Sequence, residues 1–163
     1  MNGPDPSDFD MLIAQLQQGG ASSAFGVSGG LPAVPGNLHG RFLPPEPKLL
    51  PVPETTRGFR IRVDLLHTKP PVWRRIEAPG DLTLPELHDA VQAVMGWADC
   101  HLHQFRTGND RHPPRFLTQF DLSEGDEGML EDDVRLDQVL AKKGDRLWYD
   151  YDFGDGWEHS LRV

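Results

Sequence analysis

The stretch FRIRVDLLHTKPPVWRRIEA, residues 59–78, decides the fold. Its first half alternates: Phe59, Ile61, Val63 and Leu65 fall on one face, Arg60, Arg62 and Asp64 on the other. Period-two alternation of this kind marks a strand with one face in a core and one in water. His67-Thr68-Lys69-Pro70-Pro71 turns the chain, and VWRRIEA returns as the second strand of a hairpin.

Working outward, Thr83-Leu84-Pro85-Glu86 is a helix start. It carries the T-x-x-E capping box, in which side chain and backbone satisfy each other's free N–H groups, and a proline in the first turn. Leu84, Leu87, His88, Val91, Val94 and Met95 then recur at helical spacing, and Gly96 ends the helix. HLHQFRTG reads as a strand, followed by a polar, acidic excursion from Asn109 to Asp133. Val134 to Lys143 is predicted as a shorter helix ending at Gly144. RLWYDYDF and WEHSLRV are two more strands, joined by the tip Phe153-Gly154-Asp155-Gly156 as an antiparallel hairpin. This order predicts an α+β fold: a largely antiparallel sheet, one main helix and a shorter second helix. Trp73, Leu87, Val91, Trp97, Phe105, Leu147 and Tyr149 are the expected core, and the last strand is expected at a sheet edge, with an unpaired side prone to association.

Upstream, Ser7 to Gln18 predicts a short amphipathic helix with Phe9, Leu12, Ile13 and Leu16 in one stripe. It makes residues 1–18 a candidate docking element for a protein partner. Residues 19–56 form a linker: from 19 to 54, more than a third of the residues are Gly or Pro. Such a chain predicts a flexible spacer, the alternative being a segment laid on the domain. The folded domain spans 57–163, preceded by this flexible N-terminal arm.

The formal net charge is −9. A uniformly acidic surface repels phosphate, so nucleic acid is not the favoured partner on net charge. The distribution is uneven. Arg57 to Arg75 holds six Lys or Arg against Asp64, while Asp121 to Asp137 holds eight acids against Arg135. One cysteine, Cys100, excludes an intrachain disulfide and fits a reducing compartment. The start lacks the basic and apolar regions of a signal peptide, and no apolar run approaches the roughly 18 residues of a membrane span. The expected location is the cytoplasm.

Three phrases, PPVWRRIEAPGDLTLPELHDAVQAVMGW (70–97), HLHQF (101–105) and YDYDFGDGWEH (149–159), resemble in order and spacing the Ri-plasmid open-reading-frame-3-like family. The resemblance implies relatives carried on plasmids and beside transposons. It also implies a C-terminally shortened domain, since the family's chains usually run on into a segment rich in Cys, Pro and Gly. It brings no reaction with it. Serine recombination needs a serine among arginines, and after residue 57 the serines are Ser123 and Ser160.

Chemistry-bearing residues cluster in two places. His101 and His103, two apart on a predicted strand, point to one face. With His159 and Asp155 from the last hairpin they are candidate ligands for a divalent metal, whose bound water would serve a hydrolase or nuclease. The alternative is a core face in which the histidines are hydrogen-bonded, and His88 on the helix stripe reads the same way. Arg74 and Arg75 lie on opposite faces of their strand, so one needs a carboxylate such as Asp150 or Asp152. Arg74, Arg75, Asp152 and Glu158 are therefore candidate binding residues, for an ion pair or for a nucleic acid. The acidic run DLSEGDEGMLED fails as a calcium loop, with Asp126 where glycine is needed. The leading expectation is a non-enzymatic interaction module; a metal-dependent hydrolase and a DNA-binding accessory protein are the alternatives.

Overall fold

The structure, a computed structural model, describes residues 45–163. The helix expected over 7–18 and the linker up to residue 44 lie outside the described residues. The elements are β1 (Gly58–Leu65), β2 (Val72–Pro79), α1 (Leu84–Met95), β3 (His103–Arg106), β4 (Arg115–Leu117), α2 (Gln119–Ser123), β5 (Met129–Leu130), α3 (Leu136–Val139), β6 (Arg146–Tyr151) and β7 (Trp157–Arg162). The seven strands form one sheet in the order β2-β1-β7-β6-β3-β4-β5. Every pairing is antiparallel except β4 with β5. The α+β class with a largely antiparallel sheet is therefore the observed fold.

Alternation assigns the two faces. Phe59, Ile61, Val63, Ile76, Ala78, Phe105, Phe116, Leu147, Tyr149 and Leu161 are buried together with Leu84, Leu87 and Val91 of α1. The helix covers this inner face. Its capping box is complete at Thr83 and Glu86, and Gly96, at φ 78°, takes the left-handed conformation that returns its N–H to Gln92 O. The side chain of Arg74, on the inner side of β2, donates to Val94 O at 2.9 Å. That bond satisfies one of the carbonyls left free in the last turn.

Several expectations are corrected. The last strand, β7, lies inside the sheet between β1 and β6, because Leu161 pairs across both to Val63 and Leu147; among the described strands the edges are β2 and β5. The excursion over 109–133 contains β4, α2 and β5. Glu131 within it is buried, at 2% exposure. Trp73 is exposed, at 42%: Ile76 and Ala78 fix the parity of β2, which sends Trp73, Arg75 and Glu77 to the outer face. The end of the linker lies against the domain, with Pro47 buried and Leu50 N–H donating to Gln138 O at 2.8 Å.

Candidate functional site

The histidines gather on the inner face around Tyr149. His88 reaches it from α1, His103 from β3 and His159 from β7, its direct cross-strand partner. The rings of His88 and His103 stack at 3.7 Å. Hydrogen-bond directions in this cluster follow from elimination. Gln92 Oε1 accepts the Asp99 N–H at 3.1 Å, so its amide nitrogen donates to Tyr149 Oη at 2.9 Å. The Tyr149 O–H donates to His88 Nδ1 at 2.8 Å, and His88 Nε2–H donates to Asp99 Oδ1 at 2.8 Å. Burial and the neighbouring His103 hold the His88 imidazole below its ordinary pKa, and burial does the same at His159. Burial also pushes the Tyr149 phenol well above its ordinary range. These groups are neutral in the folded protein near pH 7.

The four residues singled out as metal ligands have separate partners. His101 lies ahead of β3, which begins at His103, so strand alternation does not align the two. His101 Nε2 is 3.5 Å from Asp152 Oδ2. His103 Nε2 meets Glu131 Oε1 at 3.0 Å, His159 Nδ1 meets Tyr149 O at 3.2 Å, and Asp155 sits on the exposed hairpin tip. Among the described residues, three ligand atoms gather within 4.8 Å at His88, Asp89 and Asp99. There His88 Nε2 is paired with Asp99 Oδ1 at 2.8 Å. Two buried side-chain atoms of this inner cluster, Glu131 Oε2 and His159 Nε2, have no hydrogen-bond partner among the described residues.

The outer face is different in kind. On β2, β1, β7 and β6 it carries two parallel rows of side chains in register. The first is Arg75, Arg62, Arg162 and Arg146: Arg62 is directly opposite both Arg75 and Arg162, and Arg162 is opposite Arg146. The second, one side-chain step along, is Trp73, Asp64, Ser160 and Trp148. Arg62 is raised in pKa by its hydrogen bond to Asp64, at 2.7 Å. Arg75, Arg146 and Arg162 are exposed and have no ion pair among the described residues. Lys143 joins Arg60, Arg62, Arg75 and Arg162 around a shallow groove over the first row, and a second groove lies over Ser160 and Trp148. Like charges directly opposite each other on a sheet are destabilising. Of the four, Arg62 is offset by Asp64, and the other three have no carboxylate partner among the described residues.

Of the expected binding residues, Arg75 is in this row and Arg74 caps α1 on the other face. Neither meets Asp150 or Asp152. Asp150 is held by Arg106, through Nε at 2.8 Å and Nη2 at 3.2 Å, and Glu158 lies 3.6 Å from the same guanidinium. Sequence reading missed Arg62, Arg146 and Arg162. Their alternation with Ile61, Leu147 and Leu161 signals the outer face, but which strands are neighbours is a property of the topology.

A family described as plasmid pRiA4b ORF-3-like protein matches residues 57–163. The uncharacterized protein y4hQ of Sinorhizobium fredii is 36% identical over 108 residues, which cover 64% of this chain and 52% of that protein. The crystal structure of a protein of unknown function, MM3350 from Methanosarcina mazei Go1, superposes with a TM-score of 0.53 at 32% identity, over 65% of this chain and 59% of the other. The chain thus spans between half and two thirds of the length of these relatives. Among the described residues no helix is long and apolar enough to cross a membrane. The sheet with its covering helix, the sequence phrases and the match over 57–163 agree, and the chain belongs to the plasmid pRiA4b ORF-3-like family.

Proposed function

We propose that the domain is an interaction module that binds a polyanionic partner on the open outer face of its sheet. The observation that carries this reading is the in-register row Arg75–Arg62–Arg162–Arg146. The row lies across four adjacent strands about 4.8 Å apart, so its span is about 14 Å. A flat row of guanidinium groups, each able to present paired donors, matches a repeating anion such as phosphate. The net charge of −9 is no obstacle. The acids on these four strands are each engaged, Asp64 by Arg62, Glu77 by Arg60, and Asp150 and Glu158 by Arg106. That leaves Arg75, Arg162 and Arg146 as the unpaired charges of the row, and attraction at short range is set by the charges within about 8–10 Å.

Long-chain polyphosphate is a suitable probe, because it carries charge and no other recognisable chemistry. Calorimetric titration of the 163-residue chain is expected to show binding that weakens as salt rises. For three or four contacts the slope of log K against log salt is about −2 to −3. The double variant R146Q/R162Q is expected to lose most of the affinity and to flatten that slope by about 1 to 2. Absence of binding at low salt, or equal binding by the folded double variant, overturns the reading.

A further inference from the structure

We propose that the polyanion is a single-stranded nucleic acid, with its phosphates on the arginine row and its bases over the row beside it. This inference rests on the polyanion reading above and adds the chemistry of the second row. Trp73 and Trp148 stand at its two ends, on β2 and β6, with Asp64 and Ser160 between them. Two residues along a strand is about 6.7 Å, so the tryptophans flank the arginine row at a step that separates a sugar-phosphate chain from its bases.

Each tryptophan already has a guanidinium nearby. The Arg62 guanidinium lies 4.6 Å from the Trp73 ring centroid and that of Arg75 5.8 Å, while Arg106 is 5.8 Å from Trp148. Trp73 is 42% exposed on a strand whose inner positions are filled by Ile76 and Ala78, so core packing does not account for a residue of this size. Base stacking on an exposed indole beside a cation is the sequence-tolerant contact of single-strand binders, since every base offers a π face. Between the tryptophans, the Asp64 carboxylate and Ser160 hydroxyl face the same groove as Trp148. Ser160 is buried, at 7% exposure, and Asp64 is bonded to Arg62, so recognition rests on the indoles and the guanidinium row and not on base edges. A duplex keeps its base faces stacked inside and cannot use the tryptophans. Polyphosphate and an acidic peptide have no bases to place there.

The test compares four probes of equal charge on the 163-residue chain: an oligothymidylate, an abasic oligonucleotide of the same length, a duplex and polyphosphate. Anisotropy is expected to rank the oligothymidylate first, and its binding should quench tryptophan fluorescence. W73A is expected to lose about five- to a hundredfold in affinity for the oligothymidylate and little for the abasic strand, with W73F recovering most of the loss. If the oligothymidylate binds no tighter than the abasic strand, or W73A weakens all probes alike, the single-strand inference falls and the polyanion reading stands. A preference for the duplex has the same consequence. If none of the probes binds, both readings fall together.

Discussion

At the scale of single residues, the same alternation that fills the core decides which polar groups are silent. Leu87 is fully buried under the sheet, and Leu87→Ala is expected to lower stability by about 2–5 kcal/mol, measured by urea denaturation. A loss below about 1 kcal/mol would mean that α1 does not pack as described. His159 is also fully buried, with one nitrogen unpaired, and burial holds its folded pKa below the ordinary histidine value of about 6.5. As pH falls below that value the unfolded chain takes up the proton first. The stability due to the neutral ring is therefore complete above about pH 6.5 and is lost as pH falls towards the folded pKa, below which no more is lost. The urea midpoint is expected to be level between pH 8 and 7 and to decline below about 6.5, and H159F is expected to decline less over the same range. Parallel profiles for the two proteins would show that His159 does not contribute to the decline.

At the scale of elements, the sequence carried what is local. The hairpin over 59–78, the capping box at Thr83 and the final hairpin are written in spacings of two to four residues, and each appears as an element. Thr83→Ala removes an acceptor for the Glu86 N–H and half of the box. It is expected to lower stability by about 0.5–2 kcal/mol in thermal or urea unfolding; no change would mean that water replaces the cap at no cost. What could not be read is whatever depends on partners far apart in the chain. β7 pairs with β1, about a hundred residues away, and that pairing turns a supposed edge into the centre of the sheet. The site followed the same division. His103 and His159 are on the inner face, where they were expected to converge, but each is held by a partner, Glu131 and Tyr149, that no motif announces. Arg75 carried the right chemistry, while the three arginines beside it in space come from residues 62, 146 and 162.

At the scale of the whole molecule, the acidic average and the basic sheet face coexist because the fold sorts charges that the sequence only counts. This sorting has an energetic signature that separates binding from structure. A residue retained for packing destabilises the protein when it is removed. Arg162 stands directly opposite both Arg62 and Arg146 and has no ion pair among the described residues. Replacing it relieves two like-charge neighbours, each worth about 0.2–1 kcal/mol on a sheet. R162Q is therefore expected to keep or raise the urea midpoint at low salt while weakening polyanion binding. The gain in stability should fade as salt screens the row. The wild-type protein should in turn be stabilised by saturating polyphosphate more than R162Q is, because a ligand that binds the folded state alone adds its binding free energy to stability. A variant that loses more than about 1 kcal/mol and binds as before would instead assign Arg162 to the fold, and the row would lose its functional meaning.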